Sequence, residues 1–306
     1  MMRKTGSNLI LLILAVCLCV SAVFTGCEKD RNSEKPVVVK DLMLPNSEGT
    51  FTGAQVVLPA DYQEKKSPVI VLSHGFHGTM NSGGAEELSH ILARSGFAVI
   101  RMDFSHYVSH NPDSEQTCTY TVDTMTADQV LCVDYVVKYF NGDADRVGVY
   151  GRSLGGRAAM KLVNENIGGY DYKALVLVAP AGNEDAFQRY MGGNKKWKQF
   201  KRKAEENGSV TYQNVVLTPA FFQSIEDYVP SLHAGSFHNP VLVFYNTEDN
   251  VVLPSVSVEC AEAYSNHRMV QVTSAESPHG LEMGFRDSEI KDRIFCRIVE
   301  FYEKTL

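Results

Sequence analysis

The stretch RVGVYGRSLGG, residues 146–156, places a serine between a strand pattern and a helix pattern. RVGVY (146–150) is typical of a buried strand, and the segment from Leu154 onward carries apolar residues at helical spacing. In a Gly-x-Ser-x-Gly turn at this position the serine hydroxyl stands clear of the sheet, because the glycines leave the sharp turn free of side chains. The pattern therefore predicts Ser153 as a nucleophile. A glycine-rich turn with a capping serine is the structural alternative.

Strand patterns alternate with helix patterns on both sides of this turn. Repeated βα units of this length predict an α/β fold with an open, mostly parallel sheet and helices on both faces. In such sheets the active site lies beyond the carboxyl ends of the strands. The predicted strands are 37–43, 50–58, 68–73, 98–103, 146–150, 173–178, 240–245 and 269–273, and the predicted helices are 85–94, 127–140, 255–264, 288–302 and one starting at Leu154.

One segment, residues 181–239, is too long for a plain connection between two neighbouring strands. Because it leaves and rejoins the sheet at the edge where the active site is expected, we interpret it as a lid insertion. Its aromatic residues are candidates to line an acyl or aryl pocket, and packing against one another is the alternative. These residues are Trp197, Phe200, Phe221 and Phe222.

The loop SHGFHG, residues 73–78, follows the apolar strand PVIVLS and is suited to an oxyanion hole. A backbone N–H of such a loop joins the N–H that follows the nucleophile. The expected donors are the backbone groups of Phe76 and Leu154. We interpret His74 as a residue that fixes the loop, whereas His77 either binds substrate or packs within the loop.

The acid and the base are expected after the last two strands. Asp249, in NTEDNVV (246–252), follows the strand PVLVFY, and Glu248 is the fallback. Two histidines follow Asp249 in the chain, of which His267 precedes the last strand and so lies at the wrong end of the sheet. His279, in SPHGL, lies beyond the carboxyl end of that strand and is the predicted base.

The order Ser153, Asp249, His279 is typical of one class of serine hydrolases. Over residues 37–306 the chain resembles the α/β-hydrolase superfamily, particularly compact bacterial acyl-esterases of the feruloyl (cinnamoyl) esterase type. The motifs that carry the resemblance are LSHGFHG, AVIRMDF, DRVGVYGRSLGG, PVLVFYNTEDNVV and SPHGLE. The chain departs from those esterases at Arg152, where they usually have histidine, and at SHYVSH, where a glycine-rich GHG turn is common.

The resemblance implies an α/β-hydrolase fold with a lid and a Ser-His-Asp triad that cleaves a carboxylic ester through an acyl-enzyme. A small-molecule acyl or aryl ester, hydroxycinnamoyl esters included, is the expected substrate, with no cofactor and no metal. A thioesterase, a lipase or a catalytically silent binding lipoprotein are the alternatives, and the oligomeric state stays open.

The N-terminal residues have the pattern of a targeting segment. Arg3 and Lys4 precede the apolar run 9–20, which is shorter than the ~20 residues that span a bilayer. The following FTGC resembles the lipobox of bacterial lipoproteins, which implies a signal peptide over 1–26, acylation of Cys27 and a polar tether over 27–36. We therefore expect an extracytoplasmic protein anchored to a membrane through lipid on Cys27. An uncleaved anchor and plain secretion are the alternatives.

The amino-acid composition limits the classes of protein to which the chain can belong. The chain has 306 residues, a formal net charge of -7 and 44% hydrophobic residues, which is ordinary for a globular protein and argues against nucleic-acid binding. Four cysteines remain after the signal and Cys27 are set aside, and their wide spacing does not match a zinc site. An exported chain permits disulfides, but the sequence does not choose a pairing. The four cysteines are Cys118, Cys132, Cys260 and Cys296.

Overall fold

The central sheet is built from the apolar runs that the sequence marks as strands. The computed structural model describes residues 35–46, 51–104, 121–213 and 215–306. The strands of these residues are β1 (Val37–Pro45), β2 (Phe51–Pro59), β3 (Ser67–Ser73), β4 (Ala98–Met102), β5 (Gly142–Arg152), β6 (Tyr172–Val178), β7 (Val210–Tyr212), β8 (Val215–Leu217), β9 (Val241–Asn246) and β10 (His267–Val272).

Eight of these strands form one sheet in the order β1-β2-β4-β3-β5-β6-β9-β10, and β7 pairs with β8 in a separate hairpin. Strand β2 is antiparallel to both of its neighbours, whereas all pairs from β4 to β10 are parallel. The predicted α/β-hydrolase fold, with a mostly parallel sheet, is therefore confirmed. Its parallel strands bring the turns after β3, β5, β9 and β10 to one edge.

Helices cover both faces of the sheet. Alternate residues of β3 point to opposite cores: Val69 and Val71 pack in one, and Ile70 and Leu72 pack in the other. Helices α2 and α3 contribute to the first core, and helices α1 and α8 contribute to the second. The helices are α1 (Ala85–Arg94), α2 (Val122–Tyr139), α3 (Leu154–Asn164), α4 (Glu184–Tyr190), α5 (Asn194–Asn207), α6 (Pro219–Asp227), α7 (Pro254–Glu262) and α8 (Glu289–Thr305).

The segment between β6 and β9 folds into helices α4, α5 and α6, the β7–β8 hairpin and a 3₁₀ turn at Pro230–Ser236. Its apolar side chains belong to the same core as α2 and α3. The segment is thus packed onto the hydrolase core over its length, in contact with the edge where Ser153 lies.

Several sequence predictions lie outside the described residues: the signal peptide, Cys27, Cys118 and the motif SHYVSH. Residues 35–306 form one compact unit. Cys132 and Cys260 are buried free thiols, and Cys296 is disulfide-bonded. Among the helices that the structure describes, none is both long enough and apolar enough to cross a membrane.

Candidate active site

Ser153 lies on a strained turn between β5 and α3. Its backbone has φ 51° and ψ −119°, a conformation that L-residues rarely adopt and that costs about 1–3 kcal/mol. Hydrogen bonds hold it there: the Ser153 N–H donates to the Val178 carbonyl at 3.0 Å, and the Ser153 carbonyl accepts from Ala181 N–H at 3.0 Å. A Cβ at Gly151 would lie 2.4 Å from the Gly155 carbonyl oxygen, so the turn closes only with glycine at this position.

A continuous hydrogen-bond chain joins Ser153, His279 and Asp249. The Ser153 Oγ lies 3.1 Å from His279 Nε2, and His279 Nδ1 lies 2.8 Å from Asp249 Oδ2. With Nδ1 protonated and donating to the carboxylate, Nε2 is free to accept the serine proton. The three residues predicted from the sequence lie in three separate loops, and the structure brings their side chains together. Glu248 is exposed and takes no part in this series of hydrogen bonds.

The carboxylate of Asp249 is held in one orientation from both sides. Its Oδ1 accepts the backbone N–H groups of Val251 and Val252, at 2.9 and 3.0 Å, while Oδ2 faces His279. The Asp249 side chain is only 1% exposed. These contacts fix the orientation of the carboxylate and, through Oδ2, that of the His279 imidazole.

Asn246, the last residue of β9, ties the loop of Asp249 to the loop of His279. Its amide nitrogen donates to the carbonyls of Ser274 and Pro278, at 2.7 and 2.8 Å. Its amide oxygen accepts Ser274 N–H at 3.0 Å and Glu248 N–H at 3.2 Å. The fully buried side chain therefore uses all its hydrogen-bonding capacity on the two loops. Sequence reasoning missed this residue; its only signal was a polar residue at the end of a buried strand.

The loop after β3 lies directly against the nucleophile. A Cβ at Gly75 would sit 3.0 Å from the Ser153 Cβ, so glycine alone allows this approach without displacement. Phe76, the next residue, lines the same pocket as Ser153, and helix α3 begins at Leu154 directly after Ser153. The N-terminal N–H groups of a helix have no partner within it and favour a developing oxyanion.

His74 fixes this loop from beneath, as the sequence suggested. Its Nδ1 donates to the Gly75 carbonyl at 2.7 Å, its Nε2 accepts the Phe104 N–H at 3.3 Å, and its ring packs on that of Phe104. Burial lowers the pKa of His74, so its imidazole is neutral at neutral pH. A neutral ring supplies the one donor and one acceptor that this position uses.

A small pocket of about 80 Å³ opens beside Ser153. Helix α4 contributes Phe187 and Tyr190 to its wall, which sequence reasoning missed because nothing distinguishes them from other aromatic residues of the insertion. The lining residues are Gly75, Phe76, Gly78, Ser82, Arg152, Ser153, Ala181, Ala186, Phe187, Tyr190, Val251, Val252 and His279.

The four lid aromatic residues named from the sequence do not line this pocket. Trp197, Phe221 and Phe222 are at most 1% exposed and pack against one another. Phe221 also packs on Phe76 and Phe187, with ring centroids 5.8 and 6.2 Å apart, so it supports the pocket wall from behind. Phe200 packs on the β7–β8 hairpin. A direct role of these residues in substrate binding stays a prediction.

His77 does not line the pocket either. Its Nε2 lies 2.6 Å from the Gln213 carbonyl at the turn of the β7–β8 hairpin. The side chain therefore connects the loop after β3 to the insertion, and a role of His77 in substrate binding stays a prediction.

Arg157, on helix α3, anchors the insertion to the catalytic helix. Its fully buried guanidinium donates to the carbonyls of Ala181, at 3.0 Å, and of Ile225 and Tyr228. Burial lowers the pKa of Arg157 to about 10, so the side chain is still charged at neutral pH. One cation, four residues after Ser153, thus binds both the start of the insertion and the end of α6.

Comparisons of the sequence and of the fold with known proteins identify the family of the chain. Residues 64–217, half of the chain, match the family model described as serine aminopeptidase, S33. The chain belongs to this S33 family of α/β-hydrolases. No curated protein matches it in sequence.

Solved structures with the same fold include bacterial esterases. Est1E from Butyrivibrio proteoclasticus is 17% identical and covers 87% of this chain and 99% of its own, with a TM-score of 0.66. The structure of Est1E with bound ferulic acid is 19% identical and covers 86% of this chain and 99% of its own, with a TM-score of 0.67. An acetyl xylan esterase from Paenibacillus sp. R4 is 17% identical, with coverage of 91% and 87% and a TM-score of 0.61.

Proposed function

We propose that this member of the S33 family is a serine hydrolase that cleaves carboxylic esters of small acyl groups. The observation that carries the proposal is the hydrogen-bond chain from Ser153 through His279 to Asp249, at the mouth of a mostly apolar pocket. The esterases with which the chain shares its fold support the same reaction class.

In the first half of the proposed reaction, Ser153 Oγ attacks the acyl carbon while His279 Nε2 takes its proton. The negative charge that develops on the carbonyl oxygen is stabilised by the N–H groups of Phe76 and Leu154. Asp249 holds the imidazolium that forms. The bond to the alcohol oxygen then breaks, and this oxygen receives the proton from His279.

In the second half, water gives a proton to His279 and attacks the acyl carbon of the ester on Ser153. The carboxylic acid leaves, and the proton returns to Ser153 Oγ. The net reaction consumes one ester and one water and yields one acid and one alcohol. Every proton transfer passes through His279 Nε2, and the reaction requires no cofactor.

The pocket favours a short acyl chain over a hydroxycinnamoyl group. A cavity of about 150 Å³ holds benzene, whereas the pocket beside Ser153 measures about 80 Å³. A hydroxycinnamoyl group, suggested by the ferulic acid complex of the structural relative, exceeds this volume and would extend beyond the pocket. Among the described residues of the pocket wall there is also no carboxylate side chain to pair with the free amine of an aminopeptidase substrate.

The test combines active-site labelling with a substrate panel. We expect a fluorophosphonate probe to label the wild type, and we expect 4-nitrophenyl butyrate to be cleaved faster than 4-nitrophenyl ferulate or an aminoacyl 4-nitroanilide. Ser153→Ala and His279→Ala should each lower kcat by about 10⁴-fold or more, with little further loss in the double variant. His267→Ala is the matched control, because His267 lies at the opposite edge of the sheet. A Ser153→Ala protein with near-native turnover would overturn the proposal.

A further inference from the structure

Arg152 places a positive charge in the wall of the catalytic pocket. It directly precedes Ser153 and lines the same pocket as Ser153 and His279. Among the described lining residues it is the only lysine, arginine, aspartate or glutamate. The remaining wall is backbone, hydroxyl and apolar surface, so this one side chain sets the formal charge of the wall.

Most hydrogen-bond donors of this guanidinium have no partner among the residues that the structure describes. An arginine offers five N–H donors. Arg152 Nη2 makes one long contact, 3.4 Å to the His279 carbonyl, and no carboxylate of the described residues pairs with the side chain. Its Nε is buried, whereas Nη1 is accessible and has no acceptor among the described residues. Nη1 and Nη2 are therefore the groups suited to an acceptor that arrives with the substrate.

The side chain is held in place by the backbone around it. A Cβ at Gly83 would lie 2.1 Å from Arg152 Nη1, and one at Gly280 would lie 3.7 Å from Nη2. The guanidinium therefore lies between the turn before α1, where Gly83 leaves room for it, and the loop of His279, whose backbone carbonyl Nη2 contacts. A planar cation seated in this way is preorganised for a carboxylate, which it can bind through two parallel hydrogen bonds.

We propose that Arg152 binds a carboxylate of the substrate, so that the preferred esters carry a negative charge near the scissile bond. This proposal rests on the ester hydrolysis proposed above and specifies its substrate class. The formal charge of the whole chain, -7, repels anions, but charges beyond about 10 Å are screened at physiological salt. The local cation therefore decides the preference.

Two pairs of probes separate a carboxylate on the acyl side from one on the alcohol side. The acyl pair is 4-nitrophenyl hydrogen succinate and 4-nitrophenyl butyrate, and the alcohol pair is 3-acetoxybenzoate and its methyl ester. In the wild type we expect the charged member of at least one pair to have the higher kcat/KM. A second readout needs no turnover: succinate or 3-hydroxybenzoate should protect Ser153 from the fluorophosphonate probe.

In Arg152→Gln we expect the ratio of kcat/KM, charged over neutral, to fall about ten- to hundredfold in that pair, and the protection to be lost. Arg152→Lys should retain part of the ratio, because it keeps the charge but loses the planar fork. Arg189→Gln, which removes an exposed arginine of the insertion, is the matched control.

The outcomes are distinguishable. Equal losses for charged and neutral esters in Arg152→Gln would mean that Arg152 only supports the His279 loop, and the proposal would be wrong. An unchanged ratio in both pairs would overturn it as well. If the wild type is neither labelled nor active on any of the four esters, the proposed function itself fails.

Discussion

At the scale of single residues, Asn246 shows how the proposed triad depends on a side chain outside it. Asp249 and His279 lie in different loops, and Asn246 forms hydrogen bonds with both loops. Asn246→Ala removes four hydrogen bonds to backbone groups, two of them fully buried, which we expect to lower the free energy of unfolding by about 2–4 kcal/mol. Because the loop of His279 loses its support, kcat should fall as well, by about tenfold or more.

Urea unfolding and turnover of 4-nitrophenyl butyrate measure the two effects. Asn239→Ala is the matched control, since Asn239 makes one hydrogen bond, to the Tyr172 carbonyl, before the start of β9. Similar losses of kcat in both variants would show that Asn246 does not position the catalytic loops.

Gly75 tests the position of the oxyanion loop. An added Cβ would contact the Ser153 Cβ at 3.0 Å and the Arg152 carbonyl at 3.4 Å, which pushes the loop away from the nucleophile. We expect Gly75→Ala to lower kcat by about 10²-fold or more, the effect of losing one oxyanion donor, with a small change in thermal midpoint. Gly235→Ala, where the added Cβ meets open space, should leave kcat unchanged.

His74 makes stability depend on pH. Burial lowers its pKa in the folded protein below about 6.5, the value in an unfolded chain. As the pH falls below about 6.5 the unfolded chain binds a proton that folded His74 does not, so stability falls, by at most about 1.4 kcal/mol per pH unit. The loss stops once the pH reaches the folded pKa.

Urea unfolding at pH 7.5 and 5.5 checks this expectation. The wild type should lose more stability over this interval than His74→Gln does. His238→Gln removes an exposed histidine and serves as the control. If His74→Gln and the wild type lose the same amount, His74 does not contribute to the pH dependence.

The triad could be predicted from the sequence because each of its residues follows an apolar strand closely, and parallel strands end at one edge. Ser153 was selected by its Gly-x-Ser-x-Gly turn after a strand, and Asp249 and His279 by strand positions and chain order. Asn246 and Arg152 could not be assigned roles in this way, since their importance depends on contacts between loops far apart in the chain.

At the scale of elements, the insertion depends on Arg157. Its guanidinium holds the first residues of the insertion and the end of α6 through three buried carbonyls. Arg157→Met leaves these carbonyls unpaired, so we expect the free energy of unfolding to fall by about 3 kcal/mol or more. Limited proteolysis should then cut within 181–239 before it cuts the rest of the domain.

Arg189→Met is the matched control for this prediction. Arg189 lies on α4 in the same insertion, but it is exposed and pairs only with Asp185. We expect an effect within about 1 kcal/mol, as for surface ion pairs in general. Equal proteolytic sensitivity of the two variants would show that the insertion does not depend on Arg157.

Most elements could be predicted from apolar patterns, and the differences have local causes. Helix α2 begins at Val122 rather than near 127, because the side chains of Thr121 and Thr124 each accept a hydrogen bond from the backbone N–H of the other. The sequence signal was weak, since a capping box usually has glutamate or glutamine at the position of Thr124. Strand β5 begins at Gly142, where a bulge opposite Pro68 extends the pairing beyond the apolar run. The packing of the insertion could not be predicted, because aromatic residues line pockets and fill cores with the same sequence pattern.

At the scale of the whole molecule, the described residues begin at the amino ends of the parallel strands, and the site lies beyond the carboxyl ends of those strands. Strand β1 is antiparallel to β2, and β2 is antiparallel to β4, so β1 runs in the direction of the parallel strands. Val37, its first residue, therefore lies at the amino edge, whereas Ser153 lies beyond the carboxyl edge. All the residues of the site belong to the compact unit 35–306.

We propose that lipid on Cys27 anchors this unit to a membrane through the tether 27–36, which reaches at most about 35 Å when extended. Wild-type protein should fractionate with membranes and carry a labelled acyl chain. Cys27→Ser removes the acceptor thiol, so we expect a soluble protein or an uncleaved precursor. Because the site does not include the tether, soluble Cys27→Ser protein should hydrolyse 4-nitrophenyl butyrate with a kcat/KM close to that of the wild type.

Cys19→Ser is the matched control, since Cys19 lies within the apolar run that precedes the predicted cleavage position. This variant should behave as the wild type in acyl labelling and in fractionation. A single acyl chain gives only marginal membrane binding, so the wild type should carry more than one chain if the anchor is stable. Mature-sized Cys27→Ser protein that still fractionates with membranes would contradict the lipid anchor and would indicate that another surface of the molecule binds the membrane.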